Sequence, residues 1–591
     1  MEQTLDKKQI SIIRAVLLLS LVPFLFLLKD LATDIFLSVI IVTAAGSFLI
    51  SRPVKKQTKR TTAFSILLTA LFVIMFSISE IGKSGIYTEE LSGWLYPGPI
   101  AVLIGIWKFT LLPGSFFISS FICIRLLLDR LLTETATDDG DKKKTVRISM
   151  MIITAVSLIY AFSVIPAINT SGDVDSVWTG VREGNWNAWH TFGYQLYVFI
   201  CSKIFPSVFA VILADTLIFL LLNYYILTVL SEVNTKAVKI YTALGIIAGT
   251  PYIYLEDMIK DVVFSIGMLA LCCGLFRVIR NRKMKRADMA VIFIIPLFVS
   301  LCRHMGIISV IITFLAAGIY FLKKSEKKIS LAFMGGIILH LVIFVLINNV
   351  LAGAMNVEPN PAYVKYSTPI AMIGAAADNG VEFSSEDLEA IEKVMPYEKW
   401  AECYNRYYSD DLTRSWGEIG DDAFKISSLV DNEGFGKDII RINFHLVTGH
   451  PVIYLRALFD MNSIIWEMHL PYECDKISVA QIQPDDSHYH MFFFYLTHKY
   501  TKFMDDLSVT RALFYRGGVS LFLCAVYAAV WKMKKKSGFM ICLIPSLINT
   551  LMLSITVPAQ DTRYVLPLIL TCLFLTSVMF SGSSKTSSSY I

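Results

Sequence analysis

The sequence predicts an all-helical polytopic membrane protein, and three observations carry that prediction. Apolar runs of the length that crosses a bilayer, about 20 residues, recur along the chain. Of the 591 residues 55% are hydrophobic and 17% charged, whereas a soluble domain carries about 25% charged residues. Lysines and arginines gather in short connections between the runs, the pattern that orients spans with their positive loops inside. The net charge of +5 is thus a topology signal and does not point to nucleic acid.

The apolar runs fall at residues 12–28, 36–50, 62–78, 98–132, 148–165, 208–230, 240–253, 262–275, 289–301, 307–322, 329–350, 512–531, 539–556 and 565–580. They give about 14 expected spans. The run 98–132 is interrupted by Pro113 and Gly114 and counts as one span with a re-entrant or interfacial start. The N-terminal run has no small-residue cleavage site behind it, so it is read as an anchor. Basic stretches at 51–60, 138–147, 277–286, 322–328 and 532–536 then share one side, provided that residues 188–205 (AWHTFGYQLYVFICSKIF) lie on the opposite surface as an interfacial helix.

That assignment puts the large polar segment, residues 352–510, outside. It reads as helical and loop-rich: Ser384 and Ser385 cap a helix that stops before Pro396, and 439–448 and 452–465 are amphipathic helix candidates. Most of the ten cysteines sit in apolar runs as small apolar residues; Cys403 and Cys474 fall in the polar segment and could pair. The last residues, SGSSKTSSSYI, read as a disordered inner tail.

The stretch NTSGDVDSVWTGVREGNWNAWH (169–190) organises the rest. It sets Asp173, Asp175, Arg182, Glu183 and His190 among Trp178, Trp186 and Trp189, directly after a span. Charges at a span end need water or a polar cavity, and tryptophans belong at the interface. A carboxylate in such a loop can take the proton of an acceptor hydroxyl or hold a divalent cation; the alternative is an ordinary solvated loop.

Further outer clusters follow. In EDMIKD, Glu256, Asp257, Lys260 and Asp261 read as a second acidic wall, with Asp257 and Asp261 at i and i+4 of one helix. Arg303 and His304 stand alone between two apolar runs; the guanidinium suits a phosphate, or simply bulk lipid headgroups. In QDTR, Arg563 either pairs with Asp561 or makes a second phosphate contact, with Tyr564 an interface anchor. His190 could orient a substrate or transfer a proton. His488 and His490, with Asp485 and Asp486, are a loop or a weak metal site.

The order and spacing of these motifs resemble the GT-C superfamily of membrane glycosyltransferases, and in detail a bacterial branch of it, at DSVW (175–178), KDVVFS (260–265), RHMG (303–306), YYSDD (407–411), HPVIYLRAL (450–458) and DTRYVLPL (561–568). Where that superfamily opens its juxtamembrane helix with a His-Pro or Lys-Pro pair, this chain has His190 and Thr191. The resemblance implies a GT-C-like helical bundle with N-terminal membrane helices (1–147), a catalytic membrane module (148–351), an extracytoplasmic domain (352–510) and C-terminal helices with a tail (511–591). It implies a bacterial plasma-membrane enzyme that moves a sugar from a polyprenyl-phosphate carrier to an envelope polymer, lipid or protein acceptor on the outer face, with inversion. Asp175 or Asp173 would be the base; Arg303 and Arg563 would hold the carrier phosphate; His190, Glu256, Asp257, Lys260, Asp261 and His304 would line the substrate site. The superfamily contains members with and without a divalent metal. A transporter or lipid flippase, and a polysaccharide polymerase or ligase, are the competing classes.

Overall fold

The computed structural model describes residues 59–83, 112–132, 140–163, 172–188, 190–256, 258–303, 305–359, 365–409, 412, 429, 434–468, 492–556 and 560–581. The first two expected spans, the start of the fourth, the Ser-rich tail, Cys474 and the DDSHYH loop lie outside these residues, as do Trp189, Asp257 and His304.

Among the described residues the structure is helical throughout, with two isolated bridges and no strand. Seven helices are long and apolar enough to cross a membrane: Lys142–Ser163, Val208–Val233, Lys260–Asn281, Gly306–Lys323, Lys327–Ala354, Ser537–Ile555 and Thr562–Ser581. The pair Thr235–Ala248 and Thr250–Glu256 makes an eighth if counted as one span, bent by 65°. Of the other expected runs that the described residues reach, 62–78 lies in Lys59–Lys83, the end of 98–132 in Leu112–Leu132, most of 289–301 in Ile295–Cys302 with the turns before it, and most of 512–531 in Gly517–Met533. Leu112–Leu132 carries Pro113 in its first turn, where a missing N–H is harmless.

Lys260–Asn281 is the central helix, enclosed along its whole apolar length. Thr562–Ser581, Val208–Val233 and Ile295–Cys302 surround it. One end of the bundle carries the basic connections. There Arg277 pairs with Glu232 and, at 2.9 Å, with Asp288, which also accepts a hydrogen bond from Tyr225 at 2.8 Å. Trp531 and Phe276 meet the same ring, Phe539, which brings the 532–536 lysines to that end.

The opposite end is where the backbone departs from plain helices. At Gly249 the chain takes φ +66°, the left-handed region open to glycine. The break frees carbonyls that no water would reach inside a bilayer. Tyrosines satisfy them: the Tyr500 hydroxyl donates to Ile246 O and Ile247 O, both at 3.0 Å, and the Tyr515 hydroxyl to Ala248 O at 3.2 Å. Residues 188–205 contain the helix Phe192–Ile204, 13 residues long. At 1.5 Å per residue it spans about 20 Å, short of the roughly 30 Å hydrocarbon core. Gly193 lets it approach the chain at Leu301 closely.

Residues 367–461 build a second core of their own from Ser367–Asp378, Ser385–Glu392, Tyr397–Cys403, Phe435–Gly449 and Pro451–Met461. Ser384 caps as expected, accepting from Asp387 N at 3.2 Å. The second amphipathic candidate breaks at Asn462 instead of running on to residue 465.

Candidate functional site at the end opposite the basic loops

The acidic residues expected in a loop after the helix Lys142–Ser163 lie in a helix. Asp173 and Asp175 lie in the first turn of the helix Gly172–Glu183. Val174, Val177 and Val181 are buried and define its inward stripe. Two positions apart on a helix differ by about 200°, so 173 and 175 belong to different faces: 173 flanks the buried stripe and 175 lies away from it. The valines join one apolar cluster with Met258, inside EDMIKD, and Cys302, next to Arg303. The acidic helix and those two segments therefore meet at one end of the bundle.

EDMIKD is not one helix. Tyr254–Glu256 is a 3-10 turn closing the bent pair, Ile259 is extended, and the central helix starts at Lys260. The single helix expected over this stretch is therefore absent at the described residues 258 and 259; Asp257 itself lies outside the described residues. The reason lies upstream: the bend at Gly249 sends the chain across the bundle end, and it must straighten before entering the central helix. Glu256 is buried and accepts from the Ser163 hydroxyl at 2.9 Å. Lys260 Nζ lies 2.9 Å from His190 Nδ1, and His190 is buried. Gln195 holds the histidine's backbone by donating to His190 O at 2.7 Å.

Arg303 does not stand alone. It forms an ion pair with buried Asp261 in the first turn of the central helix. Its guanidinium carbon sits 5.2 Å from the Phe264 ring centroid and 5.4 Å from that of Tyr564. Arg563 approaches the same Tyr564 ring, its guanidinium carbon 5.2 Å from the centroid, and its Nε lies 2.8 Å from the Asp561 carboxylate. Asp561 also receives the Arg563 backbone N–H at 3.0 Å. Of the two readings open for Arg563, the pairing with Asp561 is present. Two guanidiniums therefore meet one tyrosine ring, each neutralised by its own aspartate.

The structure adds residues that the sequence reading passed over. Asp215 is buried inside the Val208–Val233 span, 1% exposed, and accepts from the Tyr197 hydroxyl at 2.6 Å. A charge in the middle of an apolar run was itself the signal. Below the QDTR turn, Arg516 and Glu467 are both buried and face each other at 3.8 Å. Gln560 accepts from Ser463 at 2.7 Å and donates to Met461 O at 2.9 Å. These contacts tie the 367–468 unit to the last span beside Arg563.

No group of three His, Cys, Asp or Glu side chains among the described residues is placed to hold a metal ion. Comparison with protein-family models, with curated proteins and with solved structures gives no match for this chain.

Proposed function

We propose that the protein is a bacterial plasma-membrane glycosyltransferase of GT-C type, with about 14 spans, moving a sugar from a polyprenyl-phosphate carrier to an envelope acceptor on the extracytoplasmic face. The observation that carries the reading is convergence. The acidic helix, the Lys260–His190 pair, the Asp261–Arg303 pair and the Asp561–Arg563 pair come from distant parts of the chain and gather at the bundle end opposite the basic loops. The positive-inside rule makes that end the outer one.

In this reading an aspartate of the Gly172–Glu183 helix takes the proton from the acceptor hydroxyl as its oxygen attacks the anomeric carbon. The bond from that carbon to the phosphate oxygen breaks, and the polyprenyl phosphate leaves with the electron pair. The base is Asp175 or its neighbour Asp173. Lys260, Arg303 and Arg563 supply positive charge for the leaving phosphate.

The test is transfer of sugar from a defined polyprenyl-phosphate donor by purified protein, with Asp173→Asn and Asp175→Asn made separately. A lost general base lowers the rate by about 10²–10⁴-fold, so at least one variant loses transfer while keeping its melting temperature. Full activity in both removes the proposed base.

One observation favours a second reading. A bent, interrupted helix ending near a buried acid is also how transporters build a substrate site, and Thr235–Ala248 with Thr250–Glu256 has that form. A transporter or lipid flippase would move its substrate across proteoliposomes without consuming a sugar donor.

A further inference from the structure

The helix Phe435–Gly449 has three faces where an ordinary amphipathic helix has two. Phe435, Ile439, Ile442 and Leu446 are buried in the second core. Lys437, Asp438, Arg441 and His445 form a polar face, with Arg441 and His445 paired to Asp387. The third face is apolar and exposed: Ile440, Phe444 and Val447 are 59%, 65% and 46% exposed. At about 100° per residue these three fall within roughly 60° of arc. The next helix, Pro451–Met461, repeats the pattern with Val452, Leu455 and Phe459 at 78%, 52% and 51% exposure, again within about 60°.

Three hydrogen bonds fix where this face lies. Thr368 donates to Ile555 O at 2.8 Å, and Asn462 donates to Ser554 O at 2.7 Å, so both ends of the contact sit at the terminus of the Ser537–Ile555 span. Asn443, next to Phe444, donates to Pro369 O at 3.0 Å, one residue from Thr368. The middle of one helix and the end of the other are thus held at the level where that span leaves the bilayer. Leu551 and Ile555, on the span itself, are 57% and 56% exposed, as apolar positions turned towards lipid would be. The Trp466 indole, which donates to Phe459 O at 2.9 Å, stands at the same level, as an interfacial tryptophan does.

We propose that the exposed apolar face shared by Phe435–Gly449 and Pro451–Met461 lies in the boundary layer of the bilayer, making this unit a monotopic membrane-binding element. Its occupant is lipid, because the face continues the lipid-facing surface of an adjoining span and its polar edge carries cations, Lys437 and Arg456, suited to headgroup phosphates. The inference is independent of the enzymatic reading.

The experiment uses full-length protein in nanodiscs of phosphatidylcholine and phosphatidylglycerol. Single cysteines introduced by Phe444→Cys, Val452→Cys or Leu455→Cys carry an environment-sensitive fluorophore, with signal from the parent protein subtracted; Glu389→Cys, on an exposed polar position of the same unit, is the control. The expected result is quenching of the first three labels by a nitroxide on the lipid acyl chain, with several-fold weaker quenching by aqueous iodide than at position 389. Iodide quenching equal to that at position 389 overturns the proposal, placing the face in water. Protection from both quenchers overturns it equally, placing the face against protein, whether another stretch of this chain or a second copy. A parent-like tryptophan spectrum and gel-filtration profile for each variant establish that the fold is intact.

Discussion

Replacing Arg303 by alanine removes one guanidinium and strands a charge. Asp261 is 2% exposed, so the carboxylate left behind has no water to replace its partner. Breaking a buried pair from one side destabilises by about 3–5 kcal/mol. Loss of the two aromatic faces, Phe264 and Tyr564, adds about 1 kcal/mol or more. The sum, roughly 4–6 kcal/mol, is a large part of a typical total stability of about 5–15 kcal/mol. Most of that loss belongs to the stranded aspartate and not to the missing attraction. Removing both charges, Arg303→Ala with Asp261→Ala, therefore restores a good part of it. Arg303→Lys falls between, since an ammonium keeps the charge but lacks the planar fork that meets a carboxylate and stacks between rings.

The assay is thermal unfolding of the purified protein in one detergent, followed by tryptophan fluorescence, on the parent, both single variants, the lysine variant and the double variant. The reasoning predicts that the double variant melts above Arg303→Ala. If it melts below Arg303→Ala by as much as Asp261→Ala melts below the parent, the two sites are additive, and the pair does not exist as described.

Two further predictions concern the scaffold. Asp387 is buried, which by itself raises a carboxyl, but the hydrogen bonds from His445, Arg441 and Ser384 outweigh burial and hold it below the usual carboxylate range. A folded value below the unfolded one contributes stability that is complete above about pH 4 and lost as pH falls through the folded value; limited proteolysis at descending pH should open the Phe435–Gly449 helix only in that acid window, and Asp387→Asn should remove the dependence. Gly193→Ala would set a methyl 2.6 Å from Leu301 Cβ and 2.9 Å from Leu301 O. The Phe192–Ile204 helix would have to move off residue 301, with a drop in melting temperature and a displaced His190; an unchanged melting temperature would show that the approach is not tight.

Much of the architecture was legible because burial in a bilayer is written as runs of apolar residues and needs no tertiary knowledge. Charge alone argued for laying residues 188–205 on the surface, since a further crossing would invert every basic loop behind it, and the helix there has 13 residues, too few to cross. What resisted was local geometry at the polar end. The i, i+4 spacing in EDMIKD promised a helical face, yet the chain there is recovering from the bend at Gly249, and GTP at 249–251 carried the break without saying where the new helix would start. Asp173 and Asp175 looked interchangeable as a D-x-D pair; a helix separates them onto different flanks. Arg303 looked isolated because its partner, Asp261, is adjacent only after the central helix and Ile295–Cys302 pack side by side. Asp215 was readable and went unread: no other acid interrupts VFAVILADTLIFLLLNYY.

The pairing of each guanidinium with an aspartate bears on what this end of the bundle can bind. An arginine held bare at a span end would carry a large desolvation penalty before any ligand arrived. Asp261 and Asp561 remove that penalty, so the site can stay folded while empty. A guanidinium has five N–H donors in a fixed fork, and one carboxylate occupies only part of it. On the reading proposed above, a phosphate reaching this end would meet two guanidiniums that their aspartates already hold in place. The aspartates also oppose the added negative charge, so on that reading the site would favour an anion that arrives with other sources of binding. A polyprenyl phosphate is such an anion, since its chain is already dissolved in the bilayer beside the site. A free inorganic phosphate, with no apolar tail to concentrate it there, would be held far more weakly.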